Sequence, residues 1–351
     1  MKKFVLILFL IFIPKAAQMQ NYEREQFRIV SYNVENYFDT VNDSATMDEE
    51  FLPDGVRHWN FSRYKTKQVR IGKVLAAIGG WSPPPIVGLC EIESKKALVD
   101  LIHNSGLHAF NYQFVHYDSP DIRGVDVALL YRPKQFKITY SKPITINFPF
   151  APEVKTRDVL MVSGKVPTGD ILHIFVCHLP SRLEGELESE NRRVFIAQII
   201  RHQVDSLIYV YKNPNIIIMG DFNDYPDNKS ITQALRAELP ESKPQADKLY
   251  NLALPLHLAG KGTYKHAGQW GMLDQFIVSG NLLNIENHFY TQQSDAHVFN
   301  AIFLLEKDEA DIGEKPFRTY NGFIYHNGYS DHLPLYVDFW IKQEKATEEE
   351  E

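Results

Sequence analysis

The chain has 351 residues, 44% hydrophobic and 13% aromatic, with two cysteines and a formal charge of −7. That is apolar material for a large core, in one large α/β unit or two. The acid excess argues against tight, non-specific nucleic-acid binding, and two cysteines exclude a disulfide scaffold.

Residues 1–17 read as a secretory signal peptide. Lys2 and Lys3 precede an unbroken apolar run from Phe4 to Ile13, too short to span a bilayer. Cleavage after Ala17 removes Lys2, Lys3 and Lys15 and takes the charge to −10. The expectation is a periplasmic or secreted protein with no stable membrane insertion once the leader is gone. Lys15 sits where a small residue is preferred, so an uncleaved anchor is the competing reading. Residues 22–342 read as one domain and 343–351 as an acidic tail without reason to fold.

Phe27–Tyr32 predicts a first strand, followed by a polar, acidic loop from Asp39 to Asp54. Val69, Val74, Leu75 and Ile78 give one apolar face to a helix over Tyr64–Ile78, stopped by Gly79-Gly80 and Pro83-Pro84-Pro85. Ile86–Cys90 is apolar throughout, as in a strand buried on both faces. Ser94 caps a helix carrying Ala97, Leu98, Leu101 and Ile102. Val125–Tyr131 is a strand, and Phe136–Tyr140 is expected to pair in its neighbourhood. Val159–Val166 and Ile171–Cys177 flank Pro167-Thr168-Gly169-Asp170 as a hairpin. A long helix over Glu190–Tyr211 leads to strands at Asn215–Met219, Met272–Ser279 and Leu333–Phe339. Leu305–Glu314 reads as an exposed acidic loop. Mixed strands with interleaved helices predict sheets with helices packed outside.

Polar signatures sit at the ends of these apolar runs. Gly220-Asp221-Phe222-Asn223 follows a buried strand, and Asp221 and Asn223, two apart, project to one side. An Asx turn would explain the motif equally well on its own. Glu91 ends Ile86–Cys90, and a carboxylate there needs a cation: a metal, or an arginine such as Arg123. Glu93 shares its face as a supporting residue. His178 ends a strand. His332 adjoins Asp331, with Asp274 at another strand start, and a carboxylate behind an imidazole raises its basicity. Asn, Glu, His and Asp in one pocket are hard oxygen ligands plus acid/base groups, the inventory for magnesium-assisted cleavage of a phosphate ester. Cys90 and Cys177 each precede a signature residue and read as two buried free thiols.

Seven stretches stand in order: Ile29 to Asn36, Gly88 to Glu93, Arg123 to Arg132, His178 to Arg182, Gly220 to Asp224, Leu273 to Ser279, and Ser330 to Leu335. Together they resemble the endonuclease/exonuclease/phosphatase superfamily, which contains DNase I, the abasic-site endonucleases, neutral sphingomyelinases and inositol polyphosphate 5-phosphatases. The resemblance implies an α/β fold, a four-layer α/β sandwich of two packed mixed β-sheets flanked by helices. It also implies roles. Asn33 and Glu91 form the metal shell, with Asp331 supporting the metal or the water. Asp221 and Asn223 orient water or phosphoryl oxygens. His178 donates to a phosphate oxygen, Asp274 and His332 are an acid/base pair, and Arg123 lies near the phosphate. Arg182 and Tyr131 are weaker guesses. Gln275 stands where many relatives carry Tyr, which affects packing more than chemistry.

The implied activity is an exported, Mg²⁺-dependent (or Mn²⁺-dependent) hydrolase of a phosphodiester, nuclease-like, in which water is activated by the His332–Asp274 pair or by Asp221. No Cys/His ligand spacing for Zn²⁺ appears. The alternative is a phosphatase or phosphodiesterase on a small or lipid phosphate ester. For nucleic acid speak Arg57, Arg63, Lys65, Lys67, Arg70 and Lys73, between Gly55 and Cys90 without one acid; a solvated helix face explains them too. For the smaller substrate speaks the aromatic segment Tyr320–Tyr329, able to wall a pocket. A non-catalytic binding module on the same fold would have lost a signature residue, and none is missing.

Overall fold

The structure is a computed structural model and describes residues 23–182 and 185–343. The leader over 1–17 and the tail from 344 onward lie outside the described residues. Gln343, read as the first residue of that tail, instead pairs with Glu23 at the end of a strand.

Twenty strands and four α-helices follow in chain order. They are β1 (Glu23–Tyr37), α1 (Phe61–Gly79), β2 (Ile86–Ile92), α2 (Lys95–Asn104), β3 (Gln113–His116), β4 (Asp126–Tyr131), β5 (Lys137–Ile144), β6 (Val159–Lys165), β7 (Ile171–His178), α3 (Glu186–Tyr211) and β8 (Asn215–Asp221). Then come β9 (Ala237–Glu238), β10 (Leu249–Asn251), α4 (Leu254–Leu258), β11 (Tyr264–His266), β12 (Gln269–Gly271), β13 (Asp274–Ser279), β14 (Phe289–Tyr290), β15 (Ala296–Val298), β16 (Leu305–Lys307), β17 (Glu314–Pro316), β18 (Tyr320–Asn321), β19 (Ile324–Tyr325) and β20 (Leu335–Gln343).

Two seven-stranded mixed sheets dominate. One runs β14-β20-β1-β2-β4-β3, with β15 also on β20; the other runs β5-β6-β7-β8-β13-β10-β9. Strand alternation sorts the residues into layers. Ile29, Cys90, Leu129, Val176, Met219, Phe276 and Val337 fill the space between the sheets. Val30, Tyr32, Val87 and Leu89 face the other way, onto α1 and α2. Phe175, Cys177, Ile216 and Ile218 face α3. This is the four-layer sandwich the resemblance implies. It also explains the two free buried thiols: Cys90 points between the sheets and Cys177 into an outer layer.

Register brings the signatures to one edge. β1 and β2 are parallel with Asn33 opposite Cys90, so Asn33 and Glu91 leave their strands together. β7 and β8 are parallel with His178 opposite Asp221, and antiparallel β13 sets Asp274 opposite Asp221. β20 runs antiparallel to β1 with Leu335 opposite Ser31, which carries His332 to the same edge. Gly220 is required within β8: its φ is +139°, and a Cβ would lie 1.9 Å from the Cys177 carbonyl oxygen.

Several boundaries move. α1 starts at Phe61 because Asn60 caps it, accepting from the Arg63 N–H at 3.2 Å. Ser94 caps α2 as expected, accepting from Ala97 N–H at 3.1 Å. α3 begins four residues before Glu190. β5 pairs with β6 in the second sheet, not with its neighbour β4 in the first. The stretch from Leu305 to Glu314 forms a hairpin tied down by the buried Lys265–Asp308 pair at 2.9 Å. Among the described residues no helix is long and apolar enough to cross a membrane.

Candidate active site

A cleft of about 1110 Å³ opens at this edge, and Glu91, Arg123, His178, Asp221, Asn223, Asp331 and His332 all line it. Asn33 and Asp274 lie buried beneath them. Every residue expected in the site therefore gathers in one place. Of the two guesses, Arg182 lines the cleft. Tyr131 does not: it pairs with Ile86 at the opposite end of the sheet and bonds Gln113.

The buried side chains form a continuous relay. Asp274 Oδ2 lies 2.7 Å from His332 Nδ1, and His332 Nε2 lies 3.6 Å from Asp221 Oδ2. Asn33 Nδ2 donates to that same Asp221 oxygen at 3.0 Å and to Glu91 Oε1 at 3.2 Å. His178 Nε2 completes the group, 3.7 Å from Asp221 and 3.9 Å from Glu91. The second oxygen of Glu91 accepts from Asn36 N–H at 2.7 Å, and that of Asp221 from Asn223 N–H at 2.8 Å. Glu91, Asn36 and Asn223 all adopt φ between 49° and 65°. Left-handed backbone at three non-glycine residues is strain held in place by those bonds.

The electrostatics separate the roles. Burial disfavours the imidazolium of His332, but Asp274 and Asp221 outweigh it and hold its pKa well above the ordinary value. His178 goes the other way: burial, then Arg157 and Arg123, push it well below, so it is neutral. Burial pushes the Asp221 carboxyl up to about 7, with His332 restraining the rise and Asp274 adding to it. Burial would also raise Glu91, but Arg123, the Asn36 N–H and His332 together keep it below the usual carboxylate range.

Asn33, expected in the metal shell, presents its amide nitrogen to both carboxylates while its oxygen accepts from Glu35 N–H at 3.0 Å. In this geometry it is a spacer between Glu91 and Asp221. Asp331 is engaged by Arg318 at 2.9 Å, which also reaches Glu35 at 3.4 Å. The donor set nevertheless suits a hard divalent cation. Glu91 stays ionised, faces the cleft, and leaves most coordination positions to water and substrate oxygens, as Mg²⁺ prefers. A second set, His116, Asp118 and Asp126, keeps its ligand atoms within 4.8 Å, although Asp126 already accepts from Ser119 N–H.

Sequence reasoning missed Arg157, Arg318 and Tyr264. Arg157 is buried, with Nη2 3.0 Å from His178 Nε2 and Nη1 3.1 Å from Asp121 Oδ2, so it braces the neutral imidazole from behind. Tyr264 packs its ring 5.1 Å from that of His332. Gln275 has the packing role expected of it, donating to Asp224 O and Met272 O and accepting from Asn251.

The basic run of α1 departs most from expectation. It is neither wholly solvated nor a free phosphate track: the aromatic segment half-covers Arg63 and Arg70, while Lys65 and Lys73 stay exposed. Lys67 is buried and donates to Thr319 Oγ1 and Tyr329 O. Arg63 lies 4.4 Å over Tyr325, Arg70 5.0 Å over Tyr329, and Lys73 4.3 Å over Phe303.

Comparison with known proteins agrees with this architecture. Residues 28–341 match the sequence model of the Endonuclease/Exonuclease/phosphatase family. No curated protein matches. Solved structures do. An endonuclease/exonuclease/phosphatase family protein from Bacteroides thetaiotaomicron is 17% identical, covering 92% of this chain and 97% of its own, with a TM-score of 0.54. A mannosyl-6-phosphatase from the same organism is 18% identical over 89% and 99%, at 0.53. TDP2 from D. rerio, complexed with a single-strand DNA product, is 14% identical over 90% and 98%, also at 0.53. These likenesses establish a DNase I-like fold.

Proposed function

The chain belongs to the endonuclease/exonuclease/phosphatase family, whose members hydrolyse phosphoesters, and from that premise we propose that it is a divalent-cation-dependent hydrolase of a small phosphate ester. The proposed cation is Mg²⁺, with Mn²⁺ as substitute, and the leader read in residues 1–17 supports a periplasmic or secreted location. The observation that carries the reading is the unbroken relay from Asp274 through His332 and Asp221 to Asn33 and Glu91.

The residues divide the work. Asp221 is the base, since it is the one group in the relay pushed up to about 7 and it fronts the cleft. His332, held as a cation by Asp274, offers its Nε2 proton to a phosphoryl oxygen and stabilises the charge that builds there. His178 is a neutral ring held by Arg157, whose N–H groups face both of its nitrogens, and Arg123 contributes a positive charge at the mouth. When bound on Glu91, the cation supplies Lewis-acid stabilisation of the leaving oxygen. Water attacks in line, and Asp221 takes its proton.

The charge of the cleft favours a small ester over nucleic acid. Among the described residues that line it, five arginines and the His332 cation face five carboxylates. Arg57 pairs with Glu50 at 2.9 Å, Arg182 with Asp224 at 3.0 Å, Arg318 with Asp331 at 2.9 Å, and Arg157 and Arg123 with Asp121 at 3.1 and 3.8 Å. A polyanion needs a run of uncommitted cations, and α1 does not offer one. Mannosyl-6-phosphatase supports the reading as a neighbour of the same fold named for a small phosphate ester; TDP2 with its DNA product shows that the fold also admits single strands.

The test is turnover of a panel of sugar phosphates, inositol phosphates, short phosphodiesters, plasmid DNA and RNA with Mg²⁺, Mn²⁺ or EDTA. Small esters are expected to turn over only with a cation, and Glu91→Gln to raise the half-saturating Mg²⁺ by more than about tenfold. DNA cleaved faster than every small ester, or full activity in EDTA, would overturn the proposal.

A further inference from the structure

Resting on that reading, we infer that the ester's organic substituent is apolar and seats on a preformed shelf of Met47 and Ile122 beside the packed Phe51 ring. The cleft is far larger than one phosphate group needs. Beside the catalytic edge, the loop between β1 and α1 supplies one wall. That loop is acidic, with Asp39, Asp43, Asp48, Glu49, Glu50 and Asp54. Against this background Met47 is 66% exposed and Ile122 55% exposed, and both line the cleft. Large apolar side chains left open in a polar loop beside a reaction centre point to a ligand that covers them.

The shelf is built before any ligand arrives. Met47 N–H donates to Ile122 O at 2.7 Å, which locks the two loops together. Phe51 stacks on Phe38 with ring centres 4.2 Å apart and planes 9° apart. Phe38 O accepts from the Trp59 indole at 2.9 Å, and the Arg57 guanidinium lies 5.0 Å from the Phe51 ring centre. Arg57 is itself fixed by Glu50 and by Gly322 O. A rigid apolar surface binds without the entropy cost of ordering it.

The shelf is continuous with the chemistry. Ile122 adjoins Arg123, which acts on Glu91, and Asn36, whose N–H holds Glu91, lines the same cleft. A substituent leaving the phosphate on that side meets Ile122 and Met47 first. An alkyl or aryl phosphate and the headgroup ester of a lipid share this chemistry.

The experiment compares hexyl phosphate with methyl phosphate, and hexyl methyl phosphate with dimethyl phosphate, by phosphate or alcohol release with Mg²⁺ or Mn²⁺. Leaving groups within each pair have similar intrinsic reactivity, so the ratio of kcat/KM reports the shelf. Hexyl esters are expected to lead by about tenfold or more, and the double variant Met47→Ser, Ile122→Ser to bring that ratio close to one. Circular dichroism checks that the variant folds. Phosphatidic acid in phosphatidylcholine vesicles is the lipid arm: turnover above that of hexyl phosphate assigns the shelf to a lipid, turnover below it to a soluble ester, and either supports it. A wild-type ratio near one, or a ratio the double variant leaves unchanged, would overturn the inference while the hydrolase stands. No hydrolysis of any ester by the folded protein would instead overturn the reading it rests on.

Discussion

Replacing Asp274 by Asn tests the division of labour most directly. Asp274 is buried, its Oδ2 2.7 Å from His332 Nδ1, and its Oδ1 has no partner among the described residues. The substitution keeps the shape and removes the charge. A charge pair about 4 Å apart at an effective dielectric near 20 is worth about 4 kcal/mol, or roughly three pKa units. Burial already lowers the His332 pKa, and with Asp274 neutral only Asp221 and Asp331 oppose it, so the ring holds its proton less firmly. The cation beside the phosphate is depleted, and kcat/KM is expected to drop about 10³-fold. Because pair and charge vanish together, folding should be little affected, which near-UV circular dichroism checks. The stronger control is the cycle with His332→Ala. If Asp274 acts through His332, the double variant is no slower than His332→Ala alone. Activity within tenfold of wild type, or losses that multiply in the double variant, would refute the argument.

Other expectations follow from the same geometry. With Asp221 as base, kcat/KM should rise about tenfold per pH unit on the acid limb and level off at or below pH 7, since a bound cation only lowers the carboxyl from about 7; a rate still climbing tenfold per unit above pH 8 would exclude it. Arg157→Met leaves the Asp121 carboxylate buried beside Arg123 alone and should cost about 3–5 kcal/mol in urea unfolding. Adding Asp121→Asn should restore stability but not turnover, because His178 stays unbraced; recovery of both would show that Arg157 is only structural. His173 is buried, and burial depresses its pKa to about 4, below the 6.5 of the unfolded chain. Its stabilising share is therefore complete above pH 6.5 and lost as pH falls toward 4, about 3 kcal/mol in all. His173→Gln, which can keep the Ser163 bond, should lose correspondingly less between those pH values, and parallel wild-type and variant stability curves would contradict this.

Most of the site legible in the chain stood at the C-terminal ends of buried strands, with Asp274 at a strand start and His332 just before one. An apolar run that stops at a carboxylate or imidazole declares both its burial and its exit, and parallel pairing of β1 with β2 and β7 with β8 then aligns the exits. Arg157 escaped because it stands at the start of a strand. β6 runs antiparallel to β7, so its beginning lies beside the end that carries His178. The same rule applied to strand starts would have found Thr156-Arg157-Asp158 as it found Asp274. Arg318 lies in an irregular stretch and Tyr264 opens the three-residue strand β11, both too short of periodicity for anything but the folded chain to define a neighbour.

The basic and aromatic segments failed as separate readings for a physical reason that bears on function. Read alone, Arg63, Lys67, Arg70 and Lys73 suggest phosphates, and Tyr320 to Tyr329 suggests a pocket wall. In the fold each is the other's partner. Cations stacked on aromatic faces lose little when they leave water, so the helix can half-bury Arg63 and Arg70 without a carboxylate for each. Lys67 pays most for this: burial lowers its pKa to about 8 although Glu35 and Asp331 pull the other way. What it secures is the loop itself. Tyr329 O and Thr319 Oγ1 are anchored to α1, Thr319 N–H and Arg318 hold Glu35 on β1, and Arg318 holds Asp331 one residue before His332. Positive charge that looked available to a substrate is thus spent on fixing the catalytic histidine. That is why an acidic protein can carry so basic a helix and still present a cleft whose arginines are all engaged.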